Sequence, residues 1–107
     1  MKLAESFDPA VVVAQNDNMA RGARRALEKL RPEWARLPFV GCDGLPQGGR
    51  REVDEGRLAA TVVMPSCAGP AVALAARWVK DGTLPPPVTV LAPVAYPSPG
   101  PEPTSRD

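Results

Sequence analysis

The chain has 107 residues and a formal charge of +1 at neutral pH, with 13 basic against 12 acidic side chains. That length allows one small domain with a modest core, and the near-even charge gives no sign of a nucleic-acid partner. Histidine is absent, which removes the commonest general base and any histidine-based metal site. Cys42 and Cys67 lack metal-ligand spacing and read as small buried apolar residues, so neither metal nor cofactor is expected.

Met1 to Asp8 holds no apolar core long enough for an export signal, and no later segment approaches a membrane span. As written, the chain is expected to stay in the cytoplasm. Residues 1–8 read as the end of a preceding element, with Asp8-Pro9 as the turn into the first strand. Val11 to Ala14 is an apolar run suited to a strand buried on both faces of a parallel sheet. Gln15-Asn16-Asp17-Asn18 follows at once, and Met19 to Leu30 reads as a helix with Met19, Ala23, Leu27 and Leu30 on one stripe. Asp17 or Asn18 is the expected N-cap. A polar cluster between a strand end and a helix start faces the crevice where open α/β sheets bind ligands.

Leu37 to Cys42 is the second expected strand, stopping at Asp43-Gly44-Leu45-Pro46. Trp34, just before it, reads as a packing residue. A short helix over Gln47–Glu55 should stop at Gly56, and Leu58 to Met64 forms the third strand, closed by Pro65. The third helix is expected from Gly69-Pro70 to Asp81-Gly82, burying Ala71, Leu74, Ala75 and Trp78. After Pro85-Pro86-Pro87, the run Val88–Leu91 suggests one more strand, continuing weakly through Val94 to Tyr96. Pro93 argues for an edge or a bend there. Residues 97–107 are rich in proline and charge, and a disordered tail is expected.

The order is then β-α-β-α-β-α-β: an α/β fold with a mainly parallel sheet and right-handed crossovers. Three successive strands end in Asn16 with Asp17, in Asp43 and in Met64, and parallel pairing brings those ends onto one sheet edge. Asn16 offers two donors and an acceptor, while the Asp43 carboxylate offers acceptors only. Such a pair suits vicinal hydroxyls, and so a sugar or polyol. A purely structural reading competes, in which Asp17 caps the helix, Asn16 shapes its turn and Asp43-Gly44 is a turn alone. Catalysis finds little support: Ser66 lacks a nucleophile-elbow context, and Gly48-Gly49 is not a phosphate loop. No enzyme is predicted.

The motifs AQNDNMARGARRAL, FVGCDGLPQGG and GRLAATVVMP followed by AGPAVALAARWVKDG resemble the carboxyl-terminal part of type I periplasmic sugar-binding proteins, the ribose-binding-like solute receptors of ABC transporters. The resemblance covers about residues 9–96 and implies a partial carboxyl-terminal lobe over residues 1–96. It also implies direct sugar contacts from Asn16 and Asp43, with Met64 at the third position and Asp17 as the helix cap. Cys42 stands where the family often has an aromatic residue, and Met64 where it often has a hydrogen-bonding amide. Both make the implied pocket less polar or less stacked. One extra residue falls near Gly48-Gly49.

The family clamps its ligand between two lobes, and a complete receptor is far longer than this chain. The resemblance therefore implies a fragment with little binding of its own, a periplasmic or extracytoplasmic full-length parent, and an ABC transporter permease as that parent's partner. It also implies that the helix from Gly69 to Lys80 crosses to the other lobe. Without that lobe, self-association through residues 69–80 is expected, with fold-back of the helix as the competing outcome. The lactose-repressor-like regulators share the ligand-binding fold and supply the alternative, an effector-binding domain. Asp43-Gly44 and Leu58-Ala59-Ala60-Thr61 fit the transport receptors better.

Overall fold

Apolar runs recur three times in the first 63 residues, the first and third rich in β-branched residues, and each supplies a strand. The computed structural model describes residues 8–100, which form two units: residues 8–63 with 94–100, and residues 64–93. The first unit contains β1 (Val12–Val13), α1 (Asp17–Leu30), β2 (Phe39–Asp43), α2 (Arg51–Asp54), β3 (Ala60–Val63) and β4 (Val94–Tyr96); α3 (Ala68–Asp81) belongs to the second. The sheet order is β1-β2-β3-β4, with β1, β2 and β3 parallel. This is the expected α/β architecture, with α1 and α2 as the crossovers.

Two expectations about the strands are corrected. The fourth strand is confined to Val94–Tyr96 and runs antiparallel to β3, pairing Thr61 with Tyr96 and Val63 with Val94. Val88–Leu91 forms no strand, because the flanking prolines lack the N–H groups that a ladder needs. Nor is β1 buried on both faces: among the described strands it is the outermost on its side, with Val13 72% exposed. Among the described residues it pairs with β2, through Val12 N–H to the Pro38 carbonyl and Ala14 N–H to the Val40 carbonyl, both at 2.9 Å.

The core of the first unit is Ala20, Phe39 and Leu58, with Val12, Ala14, Ala23, Leu27, Leu37 and Val53 packed around them. Ala20 is completely buried, so the absence of a larger side chain lets α1 lie close on β2. Arg21, Arg25 and Glu28 stand exposed on the other side of that helix. Between β2 and α2 the chain makes a wide π-type turn over Pro46–Arg50, in which Gly48 leaves helical geometry (φ −116°, ψ −112°). The expected second helix is therefore regular only over the four residues Arg51–Asp54.

Charge pairing secures α2. The Glu52 carboxylate is buried and accepts two bonds from Arg57, at 2.7 and 3.1 Å, while Arg21 lies 4.0 Å away. The Arg57 hydrogen bonds are the main reason that Glu52 titrates below the ordinary carboxylate range. At the sheet's other edge the Tyr96 hydroxyl donates to Asp54 at 2.6 Å, which raises the Tyr96 pKa and ties β4 to α2.

In the second unit, α3 ends at Gly82, whose φ of 74° suits glycine and whose N–H closes on the Trp78 carbonyl at 2.9 Å. The helix begins at Ala68, so Pro70 is its third residue rather than its first. None of its residues is buried: Leu74 is half-buried and Trp78 is 52% exposed, so the expected buried stripe is absent. Val88–Leu91 serves the unit differently, since Thr89 and Leu91 line a shallow depression of about 130 Å³ with Cys67, Pro70, Ala71 and Leu74. Cys67 is exposed and Cys42 half-buried, so neither cysteine is the buried apolar residue expected. Pro97–Gly100 is exposed without helix or strand; the rest of the expected tail, and residues 1–7, lie outside the described residues.

Candidate ligand-binding site

Parallel pairing carries the ends of β1, β2 and β3 to one edge of the sheet. Asp43 is the last residue of β2 and pairs in register with Val63 of β3. Asn16 follows β1 after a two-residue turn and starts α1. Asn16 and Asp43 therefore share this edge, as the sequence implied. Met64 directly follows β3, opens the second unit and is 52% exposed.

The capping roles differ from the sequence reading. Asn16, in extended conformation (φ −148°, ψ 170°), is the N-cap: its Oδ1 accepts from the Met19 N–H at 2.8 Å. That bond satisfies one of the helix's free amides and holds the side chain in place. Nδ2 keeps its two donors for a ligand. The helix starts two residues earlier than the apolar stripe suggested, because the cap lies outside the stripe.

Asp17, expected as a cap, is instead a buried strut. Its Oδ2 accepts from the Gly44 N–H at 2.9 Å, and its Oδ1 accepts from the Thr61 hydroxyl at 2.6 Å. One carboxylate thereby joins the start of α1 to the turn after β2 and to the middle of β3. Gly41 and Gly49 make room for it, since a Cβ at either position would overlap the Asp17 carboxylate.

Asp43 itself has φ 104°, in the left-handed half of conformational space that side chains rarely enter. Gly44 follows at φ 62°, and a Cβ there would come within 2.6 Å of the Val63 Cα. Arg50 closes the turn from the other side, its Nε donating to the Gly44 carbonyl at 2.9 Å. The Asp43 side chain is exposed and makes no hydrogen bond or ion pair among the described residues. Its oxygens are free to accept from a ligand. Sequence reasoning missed Thr61, Arg50 and the strut role of Asp17. The available signal was the set of glycines at 41, 44 and 49, which marks a place where something must approach closely.

The arrangement holds donors on Asn16 and acceptors on Asp43, at the ends of two adjacent parallel strands. Among the described residues there is no group of acidic or sulfur side chains able to hold a metal. No described helix is long and apolar enough to cross a membrane.

The fold matches a lobe of the type I periplasmic-binding-protein kind. The chain superposes on the fructose-binding periplasmic domain of a hybrid two-component system with a TM-score of 0.73 and 27% identity, covering 88% of this chain and 31% of that one. No family model matches the chain.

At the level of individual proteins, it is homologous to the ribose import binding protein RbsB. Identity to the protein of Salmonella typhimurium (strain LT2) is 47% over 55 residues, and to that of Escherichia coli (strain K12) 46% over 55 residues. The match takes in 51% of this chain and spans 18% of the length of those relatives.

Proposed function

We propose that this chain is part of a sugar-binding solute receptor of an ABC-type importer, and that Asn16 and Asp43 contact adjacent hydroxyls of the sugar. The observation that carries the reading is the edge pair itself, held within a chain homologous to ribose import binding proteins. Asn16 Nδ2 donates to one hydroxyl oxygen, and the neighbouring hydroxyl donates to Asp43. No bond is made or broken, so the role is binding and not catalysis. Met64 adds an apolar contact in this reading. The longer receptor works outside the cytoplasm with a permease partner, and a second copy of this chain can pair through residues 69–80, where Ala71, Ala75 and Ala76 permit close approach. The regulator alternative gains nothing, since the relatives found are import proteins and a periplasmic domain.

A lobe carrying only part of the hydrogen-bond partners leaves much of a sugar in water, so affinity in the millimolar range is expected of the chain alone. The test is an NMR titration with ribose and fructose. Shifts should concentrate at the Asn16 side-chain amide and at Asp43 and Gly44. Asp43→Ala should weaken binding by ~1.5–3 kcal/mol, the worth of a charge-assisted hydrogen bond. Unmoved resonances at both residues at saturating sugar would remove them from the site, and micromolar binding by the monomer would overturn the half-site reading.

A further inference from the structure

Backbone conformations with positive φ at a side-chain-bearing residue persist only where the surroundings over-determine them. Asp43 is the single non-glycine case among the described residues. Its peptide link to Gly44 is gripped from one side by Asp17 through the Gly44 N–H, and the Gly44 carbonyl is held from the other by Arg50. Of the two, Asp17 is the more deeply placed: it is 7% exposed, against a half-buried Arg50. Its second oxygen is anchored on Thr61, a residue only 1% exposed in the sheet centre. The strut therefore ties the turn to the buried centre of the sheet. Gly41 and Gly49 keep the path open, which is a costly provision for a bond that merely closes a loop.

We propose that Asp17 is the positioning residue of the site. Its buried carboxylate locks Gly44 and thereby holds Asp43 in the left-handed conformation that leaves the Asp43 carboxylate free at the sheet edge. The consequence for sugar recognition rests on the reading that Asp43 contacts the ligand; the hold on the backbone does not. Preorganisation of this kind means that a ligand meets the acceptor already in place.

The experiment uses the isotopically labelled chain without ligand, so that it stands apart from the sugar titration. In the wild-type chain a through-hydrogen-bond coupling is expected from the Gly44 nitrogen to the Asp17 Cγ. The Asp43 backbone couplings should report positive φ. Asp17→Asn should preserve both, because the amide oxygen accepts from Gly44 while its NH2 donates to a reoriented Thr61 hydroxyl. Asp17→Ala should shift the Asp43 couplings towards extended values and speed Gly44 amide exchange about tenfold or more. Tyr96→Phe, which loosens the distant β4–α2 bond, should leave the Asp43 couplings unchanged and so separates positioning from general loss of stability. A folded Asp17→Ala variant with Asp43 still at positive φ would overturn the proposal. So would an unprotected Gly44 amide without coupling to Asp17 in the wild-type chain, a result available even if Asp17→Ala fails to fold. Failure of Asp43→Ala to weaken sugar binding would instead defeat the reading of the site and leave the strut intact.

Discussion

α1 and α3 are both 14 residues long, and they meet opposite fates. α1 carries six charged residues and α3 only three, yet α1 has buried residues and α3 has none. Apolar composition therefore does not decide which helix is anchored. What anchors α1 is one alanine small enough for close approach and one carboxylate with two partners across the sheet. α3 has the residues for burial, but within this chain Val72 remains 69% and Val79 87% exposed. Its helix depends on local terms, an apolar sequence with good propensity and the Gly82 stop.

The sharpest way to break this contrast is to hollow the first unit's core. Phe39→Ala should cost ~3–5 kcal/mol in urea unfolding, as a large buried aromatic leaves a cavity. Because a small domain has little more than that in reserve, loss of the folded state at 25 °C is an acceptable form of the same result. A cost below ~1 kcal/mol would mean that the core does not hold the unit together.

Gly41→Ala tests the strut's space directly. The new methyl group would collide with Asp17, so ~1–3 kcal/mol of destabilisation is expected, with the Thr61 hydroxyl bond disturbed in NMR spectra. Gly22→Ala, where nothing lies near, should instead be neutral or stabilising by up to ~1 kcal/mol, being an exposed helix position. Equal behaviour of the two variants would remove the special place given to Gly41.

The charge pairing around α2 gives a smaller, pH-dependent effect. Glu52 has a folded-state pKa below its unfolded one, so its contribution is present at neutral pH and fades as pH falls below about 4.5 through the folded value. Glu52→Gln should lose on the order of 1 kcal/mol at pH 7 and flatten this part of the acid profile. An unchanged slope in urea midpoints between neutral and acidic pH would show that Arg57 gives Glu52 no stabilising advantage.

The least effect belongs to α3. Trp78→Ala should change the stability of the monomer by no more than ~0.5 kcal/mol, since half the side chain is already in solvent. In a Trp34→Phe background, Trp78 fluorescence should show the red-shifted emission of an exposed indole. Pairing through residues 69–80 predicts a concentration-dependent sedimentation coefficient and a blue shift as the copies meet. A clean monomer at high concentration with unchanged emission would defeat the self-association proposal.

Elements were legible where one local cause sufficed. The apolar runs announced β1, β2 and β3, the stripe of α1 marked its body and its end at Leu30, and Gly56 and Gly82 marked stops that both took at φ 74°. The alternation of strand and helix was enough to predict that Asn16 and Asp43 would share an edge, because parallel order follows from crossover connections. Other features depend on partners distant along the chain. The cap of α1 was expected at Asp17 or Asn18 and lies at Asn16, because a Thr61 hydroxyl 44 residues away holds the aspartate inward. The direction of β4 came from pairing with β3 after a proline-rich return that no periodicity describes. The exposure of α3 was equally beyond the pattern, since a stripe specifies which face seeks burial and says nothing of whether a surface is there to receive it. Local propensity and spacing determined the elements and their order; side-chain reach between them decided which residue braces the candidate site and which is free to bind.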